Sequence, residues 1–263
     1  MNQNEILRAK NPLVHCITNY VTVNDVANSI LAVGGSPIMA DDESEVAEVS
    51  SIANSLVINI GTLNSRTIKS MEIAGRVANS RNIPVILDPV GAGVSKLRNQ
   101  TVENLLRNIK FAVIRGNLSE IGFCAGKNSS ARGVDTNEEK NLESREVASI
   151  VAKKFNCIAI ITGAEDVVTD GKNFAFIQNG VSEMRKITGT GCMLSGILGA
   201  YIGASENHFD SSVSAAASMG IAGEIASENC RGTGSLHIGI IDALSRINDD
   251  TISKRGKIRY EKN

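Results

Sequence analysis

Short runs of β-branched and aliphatic residues alternate with stretches of helical period from residue 13 onward. A chain patterned this way is confined to strand–helix–strand crossovers on a mostly parallel sheet, because parallel neighbours are joined only by carrying the chain across one face. Strands are predicted at Leu13–Thr18, Pro37–Met39, Ser55–Ile60, Val85–Asp88, Ala112–Arg115 and Cys157–Thr162. The near-continuous apolar character of Leu56–Ile60 and Ile158–Ile161 suits strands covered on both faces, so the expected class is α/β with helices flanking a central sheet on both sides. Between the first two strands, Val23, Val26, Ala27, Ile30 and Leu31 share one helix face, with Thr22 and Asp25 as an N-terminal cap and Gly34–Gly35 as the stop. Asp170–Gly171 separates Val167–Thr169 from Phe174–Ile177 as a two-residue turn does, which predicts an antiparallel hairpin. After Gly191 the pattern is helical as far as Ile247. The polar stretch Gly126 to Glu143 is expected to be an exposed excursion, and Asn248 to Asn263 a polar tail that frays. No shift in composition divides the chain, so residues 1–263 read as a single domain.

Composition narrows the partners. The 27 basic and 28 acidic residues nearly cancel, so no field draws the chain to nucleic acid or to an anionic bilayer. With 3 % aromatic residues and no Trp, a base-stacking platform has little to be made from. The longest weakly polar stretch, Gly189 to Ala204, is too short and glycine-rich for a membrane span, and MNQNEILRAK lacks the profile of a signal peptide. Cys16, Cys124, Cys157, Cys192 and Cys230 form neither a CxxC pair nor a zinc-ligand spacing. A cytoplasmic protein acting on small molecules is the expectation.

In an open parallel sheet, ligands bind at the carboxyl ends of the strands, so polar residues that directly follow apolar runs carry the most weight. Asp88 follows Val85–Leu87, Arg115 and Asn117 follow Ala112–Ile114, and Thr162 follows Ile158–Ile161. The strongest segment is Gly189-Thr190-Gly191-Cys192, a Gly-x-Gly turn feeding an apolar helix. Free N–H groups and the positive dipole end of such a helix suit an anion, and glycines let phosphate oxygens approach the backbone. No Gly-Lys-Ser/Thr follows, so this is not a Walker loop. A second Gly-x-Gly, Gly232-Thr233-Gly234, also precedes a helix. Cys192 falls in the first turn, where the dipole favours a thiolate and so a proton acceptor; its bland reading is a small apolar filler. The other four cysteines take that bland reading, and His15 that of a hydrogen-bonded core residue. Asn117 and Glu120 lie three apart and, with Asp88, offer hard oxygen ligands to a hydrated Mg²⁺; the same Asn-x-x-Glu spacing also makes a capped helix start.

These segments resemble hydroxyethylthiazole kinase, a thiamine-salvage family of ribokinase-like fold, over about residues 11 to 247. The markers are Asn11-Pro-Leu-Val-His-Cys-Ile-Thr-Asn19, Ser36-Pro-Ile-Met-Ala-Asp41, Leu87-Asp-Pro-Val-Gly-Ala-Gly93, Ile114-Arg-Gly-Asn-Leu-Ser-Glu-Ile121 and Thr188-Gly-Thr-Gly-Cys-Met-Leu194. The resemblance implies ATP-dependent phosphorylation of the primary alcohol of 4-methyl-5-(2-hydroxyethyl)thiazole, with Mg²⁺ on the nucleotide phosphates. It implies Met39 and Gly189 as thiazole contacts, Arg115 and Thr162 as ATP contacts, Asn117 and Glu120 as the metal motif, and Asp88 as an acidic position near the phosphates. Cys192 stands where most ribokinase-like enzymes carry an Asp base, and Gly189, Thr190 and Gly191 form the phosphate loop. The resemblance also implies a homotrimer with active sites between subunits. Two other readings stay open on the residues alone: a related kinase for a pyrimidine or sugar alcohol, which an Asp at position 192 would favour, and an ATP-binding module or ATP-using dehydratase without an alcohol acceptor.

Overall fold

The computed structural model describes residues 2–126 and 137–262. Within them one sheet of nine strands runs through the molecule. The strands are β1 (Leu13–Ile17), β2 (Ser36–Ile38), β3 (Ser55–Asn59), β4 (Val85–Asp88), β5 (Val113–Asn117), β6 (Ile158–Thr162), β7 (Asp166–Thr169), β8 (Asn173–Ile177) and β9 (Ile258–Lys262). Their order is β2-β1-β3-β4-β5-β6-β7-β8-β9. The pairs from β2 to β6 are parallel, and those from β6 to β9 are antiparallel.

Helices α1 (Gln3–Lys10) and α2 (Val23–Val33) pack on one face of the sheet. On the other lie α3 (Val46–Ile52), α4 (Ser65–Ser80), α5 (Lys96–Asn108), α6 (Leu118–Ala125) and α7 (Asn137–Phe155). The chain then returns to the first face with α8 (Thr190–Ala204), α9 (His208–Ser227), α10 (Thr233–Arg246) and α11 (Asp249–Arg255). Because strand side chains alternate, each strand feeds two cores. Val57, Ile86, Val113 and Ile160 join the first-face core, whereas Leu56, Leu87, Ile114 and Ile161 join the other. Both faces are therefore dry, as the apolar runs demanded, and the mostly parallel α/β class is borne out.

Three local expectations are corrected. The Thr22 side chain does not cap α2; its hydroxyl turns back to donate to Asn19 Oδ1 at 3.1 Å, and Asp25 Oδ1 stands 3.0 Å from His237 Nε2. The β7–β8 hairpin forms, but Thr169 pairs with Phe174 and leaves four residues in the loop, where Asp170 Oδ1 accepts the N–H groups of Lys172 and Asn173. The stretch after Ile247 is not a frayed tail: Asn248 caps α11 and β9 pairs along the whole of β8. Alternating Arg259, Tyr260 and Glu261 looks like a solvated tail in sequence, and only the waiting edge of β8 makes it a strand. The excursion expected from Gly126 to Glu143 lies outside the described residues as far as Thr136, and its remainder opens α7.

Candidate active site

The parallel strands deliver their last residues to one rim. Asn59 ends β3, Asp88 ends β4, Asn117 ends β5 and Thr162 ends β6, while α8 begins opposite them. Asp88 is buried, and its Oδ2 accepts from Ser195 Oγ at 2.7 Å, Asn59 Nδ2 at 2.8 Å and Arg115 Nη1 at 3.4 Å. Arg115 is itself buried and donates from Nη2 to Thr162 Oγ1 at 2.9 Å. Burial pushes the Asp88 carboxyl above the usual carboxylate range, against the pull of the Arg115 guanidinium and the Ser195 hydroxyl. Two buried polar atoms in this cluster have no partner, Asp88 Oδ1 and Arg115 Nε. An orphaned acceptor and an orphaned donor in one buried pair mark a place that a ligand completes.

The start of α8 closes the site from the other side. Gly189 is its left-handed N-cap, with φ +89°, and no side chain caps the first turn, which leaves its N–H groups unspent. A Cβ on Gly189 would lie 2.5 Å from Thr22 Cγ2, and one on Gly191 would lie 2.9 Å from Arg115 Nη1. Glycine at 191 is thus what lets bare backbone meet the guanidinium. In the same turn, Cys192 is half-buried and its sulfur accepts from Asn19 Nδ2 and Asn59 Nδ2, each at 3.3 Å. Asn59 therefore joins the thiol to Asp88. Next to this cluster opens a cavity of about 540 Å³, lined at its polar end by Arg115, Asn117, Thr162, Asp166, Thr190 and Gly191.

Arg115, Thr162 and Asp88, read at strand ends, are brought together with Thr190, Gly191 and Cys192, read at a helix start. Met39, beyond β2, lies apart from that cavity; it is half-buried against the same apolar core as Cys192. Asn117 and Glu120 form the capping box: Asn117 Oδ1 accepts the Glu120 N–H at 3.0 Å, and Glu120 Oε2 accepts the Asn117 N–H at 2.8 Å. Glu120 Oε1 also accepts the Gly91 N–H at 2.9 Å, which fixes the loop after β4 to the start of α6. Among the described residues, no three His, Cys, Asp or Glu side chains gather into a metal cage. What remains is one orphan oxygen on Asp88 and spare lone pairs on Glu120, a set that fits a largely hydrated ion shared with phosphates.

Asn19, Asn59 and Ser195 are not singled out in the sequence: Asn19 lies two places beyond β1, and Asn59, the last residue of β3, reads as an interior position of the predicted strand Ser55–Ile60. Ser195 carries no signal, since it lies one turn into α8. The bland readings hold elsewhere. His15 is buried, with its ring nitrogens 2.9 Å from Ser50 Oγ and 2.8 Å from the Ala40 carbonyl. Cys16, Cys124 and Cys157 are buried, and burial pushes the last two thiols up to about 12.

The fold is shared with the pyridoxal kinase of Staphylococcus aureus in complex with AMP-PCP and pyridoxal. The two superpose with a TM-score of 0.66 over 96 % of this chain and 99 % of that one, at 16 % identity, a likeness of fold. The fold is of the ribokinase-like class. The particular branch follows from closer relatives. The model of the hydroxyethylthiazole kinase family matches residues 5–250, and the chain belongs to that family. It is 51 % identical to the hydroxyethylthiazole kinase of Ruminiclostridium cellulolyticum, covering 96 % of this chain and 94 % of that protein. It is 44 % identical to that of Methanocella arvoryzae, over 97 % and 95 %. The solved hydroxyethylthiazole kinase of Pyrococcus horikoshii superposes with a TM-score of 0.91 at 36 % identity, over 99 % of this chain and 98 % of that one.

Proposed function

We infer that this protein transfers the γ-phosphoryl group of ATP to the primary hydroxyl of 4-methyl-5-(2-hydroxyethyl)thiazole, giving the thiazole phosphate used in thiamine salvage. The observation that carries this reading is the uncapped Gly189–Gly191 turn lying against Arg115, with Cys192 beside it. Phosphoryl transfer runs through a loose transition state, in which positioning and charge neutralisation supply most of the acceleration. Backbone N–H groups of Thr190 and Gly191 and the Arg115 guanidinium meet the phosphate oxygens, and Thr162 holds Arg115 in register. Cys192 holds the alcohol and receives its proton, which leaves late in such a transition state, so a modest acceptor suffices. Met39 and Gly189 border the thiazole.

When bound, Mg²⁺ neutralises charge on the nucleotide phosphates. Asp88, Asn117 and Glu120 would hold it, directly or through water. By family likeness the whole chain works as one domain, in the cytoplasm, as a homotrimer whose active sites lie between subunits; no helix among the described residues is long and apolar enough to cross a membrane. A coupled assay is expected to show ADP release that depends on both the thiazole alcohol and Mg²⁺. Turnover at the same rate without the alcohol would overturn the reading.

A further inference from the structure

The C-terminal strand reaches the cleft through one carboxylate. After β8 ends at Ile177, the chain turns through Gln178, Asn179 and Gly180, and the last two line the 540 Å³ cavity. This turn lies flat on α9 because residue 220 is glycine: a Cβ there would stand 2.7 Å from the Asn179 carbonyl oxygen. One helical turn further on, Glu224 Oε1 accepts the Gly180 N–H at 3.0 Å and Asn179 Nδ2 at 3.3 Å. The same oxygen accepts from Lys257 Nζ at 2.9 Å, just before β9 begins. Asn179 grips the opposite side, donating from Nδ2 to the Arg255 carbonyl at 2.9 Å and accepting the Lys257 N–H on Oδ1 at 2.8 Å. Gln178 N–H then donates to the Lys257 carbonyl at 3.0 Å, which leads directly into the β8–β9 ladder.

Glu224 is 16 % exposed and none of its contacts serves the phosphate loop or the thiol, so the mechanism above leaves it unused. We propose that Glu224 and Lys257 form a latch through which the C-terminal strand sets the cleft wall at Asn179–Gly180, making both of them positioning residues for the nucleotide and not for the alcohol. The inference rests on the reading of this cleft as the ATP site. Removing the carboxylate leaves the Gly180 N–H and the Asn179 amide short of an acceptor, so the wall relaxes away from its bound position. Removing the lysine leaves an uncompensated anion close to a polyphosphate.

The test is ATP affinity by titration calorimetry, first on the unaltered protein and then on Glu224→Ala, Glu224→Gln and Lys257→Met, beside steady-state kinetics for both substrates. Glu224→Ala is expected to raise the ATP Kd about tenfold. Glu224→Gln, which keeps an acceptor for Gly180, recovers most of that loss. Lys257→Met raises the Kd about threefold, as befits a partly screened pair, and less at high salt. The thiazole KM, and kcat at saturating ATP, stay within about twofold. An unchanged ATP Kd in Glu224→Ala and Lys257→Met overturns the latch, as do ATP and thiazole constants that move together. If Glu224→Ala fails to fold, Lys257→Met decides alone, since its side chain is 59 % exposed. Absence of ATP binding by the unaltered protein overturns the reading of the cleft itself, before any variant is made.

Discussion

The tripeptide Gly-Thr-Gly occurs at two helix starts, Gly189–Gly191 before α8 and Gly232–Gly234 before α10, and the two have opposite fates. At α10 the start is exposed, a Cβ on either glycine would meet nothing within 4 Å, and Ser235 Oγ accepts the N–H groups of Arg231 at 2.8 Å and Gly232 at 3.1 Å. Ser235 thus meets only the N–H groups at the N-cap and just before it, and no side chain caps the first turn. At α8 no side chain caps the turn, and its glycines are pressed against Thr22 and Arg115. Identical local chemistry thus faces a cation only where the fold brings Arg115 to the same backbone. The residue after each tripeptide completes the contrast, since Ser235 serves its own helix and Cys192 faces two amides from other elements.

The largest difference between the two starts should come from Gly191→Ala against Gly234→Ala. A methyl at 191 displaces the Arg115 guanidinium and should lower kcat/KM by about 10²-fold, on the scale of removing one transition-state donor. At 234 the same change should leave activity within about twofold, since it fills open space on an exposed helix start. Equal losses in a steady-state assay would erase the distinction. A smaller effect separates the following residues. Cys192→Ala should lower kcat about tenfold while ATP affinity changes little, whereas Ser235→Ala should leave kcat alone and destabilise the fold by ~1 kcal/mol through loss of its bonds to those N–H groups. Unchanged turnover in Cys192→Ala would remove the thiol from the chemistry.

The smallest effect concerns Asp166, which lines the same cleft as the α8 start. Burial pushes its carboxyl up to about 6 despite the Gly163 N–H and Arg115. The native state therefore binds this proton more tightly than the unfolded chain, and the stability from this group falls as pH rises from about 4 to about 6. Asp166→Asn should raise Tm at pH 7 by ~2–4 °C and by much less near pH 4, as read by thermal melts. An equal gain at both pH values would remove titration as its cause.

Much of the site was legible because strand ends are legible. Val85–Asp88 is found at the limits the pattern set, and an acid at the end of a run buried on both faces has no solvated alternative. Asn19 and Asn59 escape that rule, since Asn59 sits inside the apolar run Leu56–Ile60 and Asn19 follows the polar Thr18, and only the sulfur they share distinguishes them. The Asn117–Glu120 spacing was ambiguous for a physical reason. A cap and a metal ligand need the same oxygen atoms at the same place, and the structure shows the cap formed with a third backbone donor, Gly91, added. The last strand was illegible, because an edge strand facing solvent has the alternation of a polar tail and acquires its partner only from β8.

By itself the sequence determined the α/β class, the two dry faces of the sheet, and the rim to which the strand ends bring Asp88, Arg115 and Thr162. Each of these follows from periodicity and chain direction, which are local properties. Only the tertiary structure decided which Gly-Thr-Gly meets a cation, which amides hold the thiol, and that the C-terminal strand is tied to the cleft. Those depend on contacts between residues far apart in the chain, such as Arg115 with Gly191 or Glu224 with Lys257, the latter 2.9 Å apart at Oε1 and Nζ, and no local pattern encodes them.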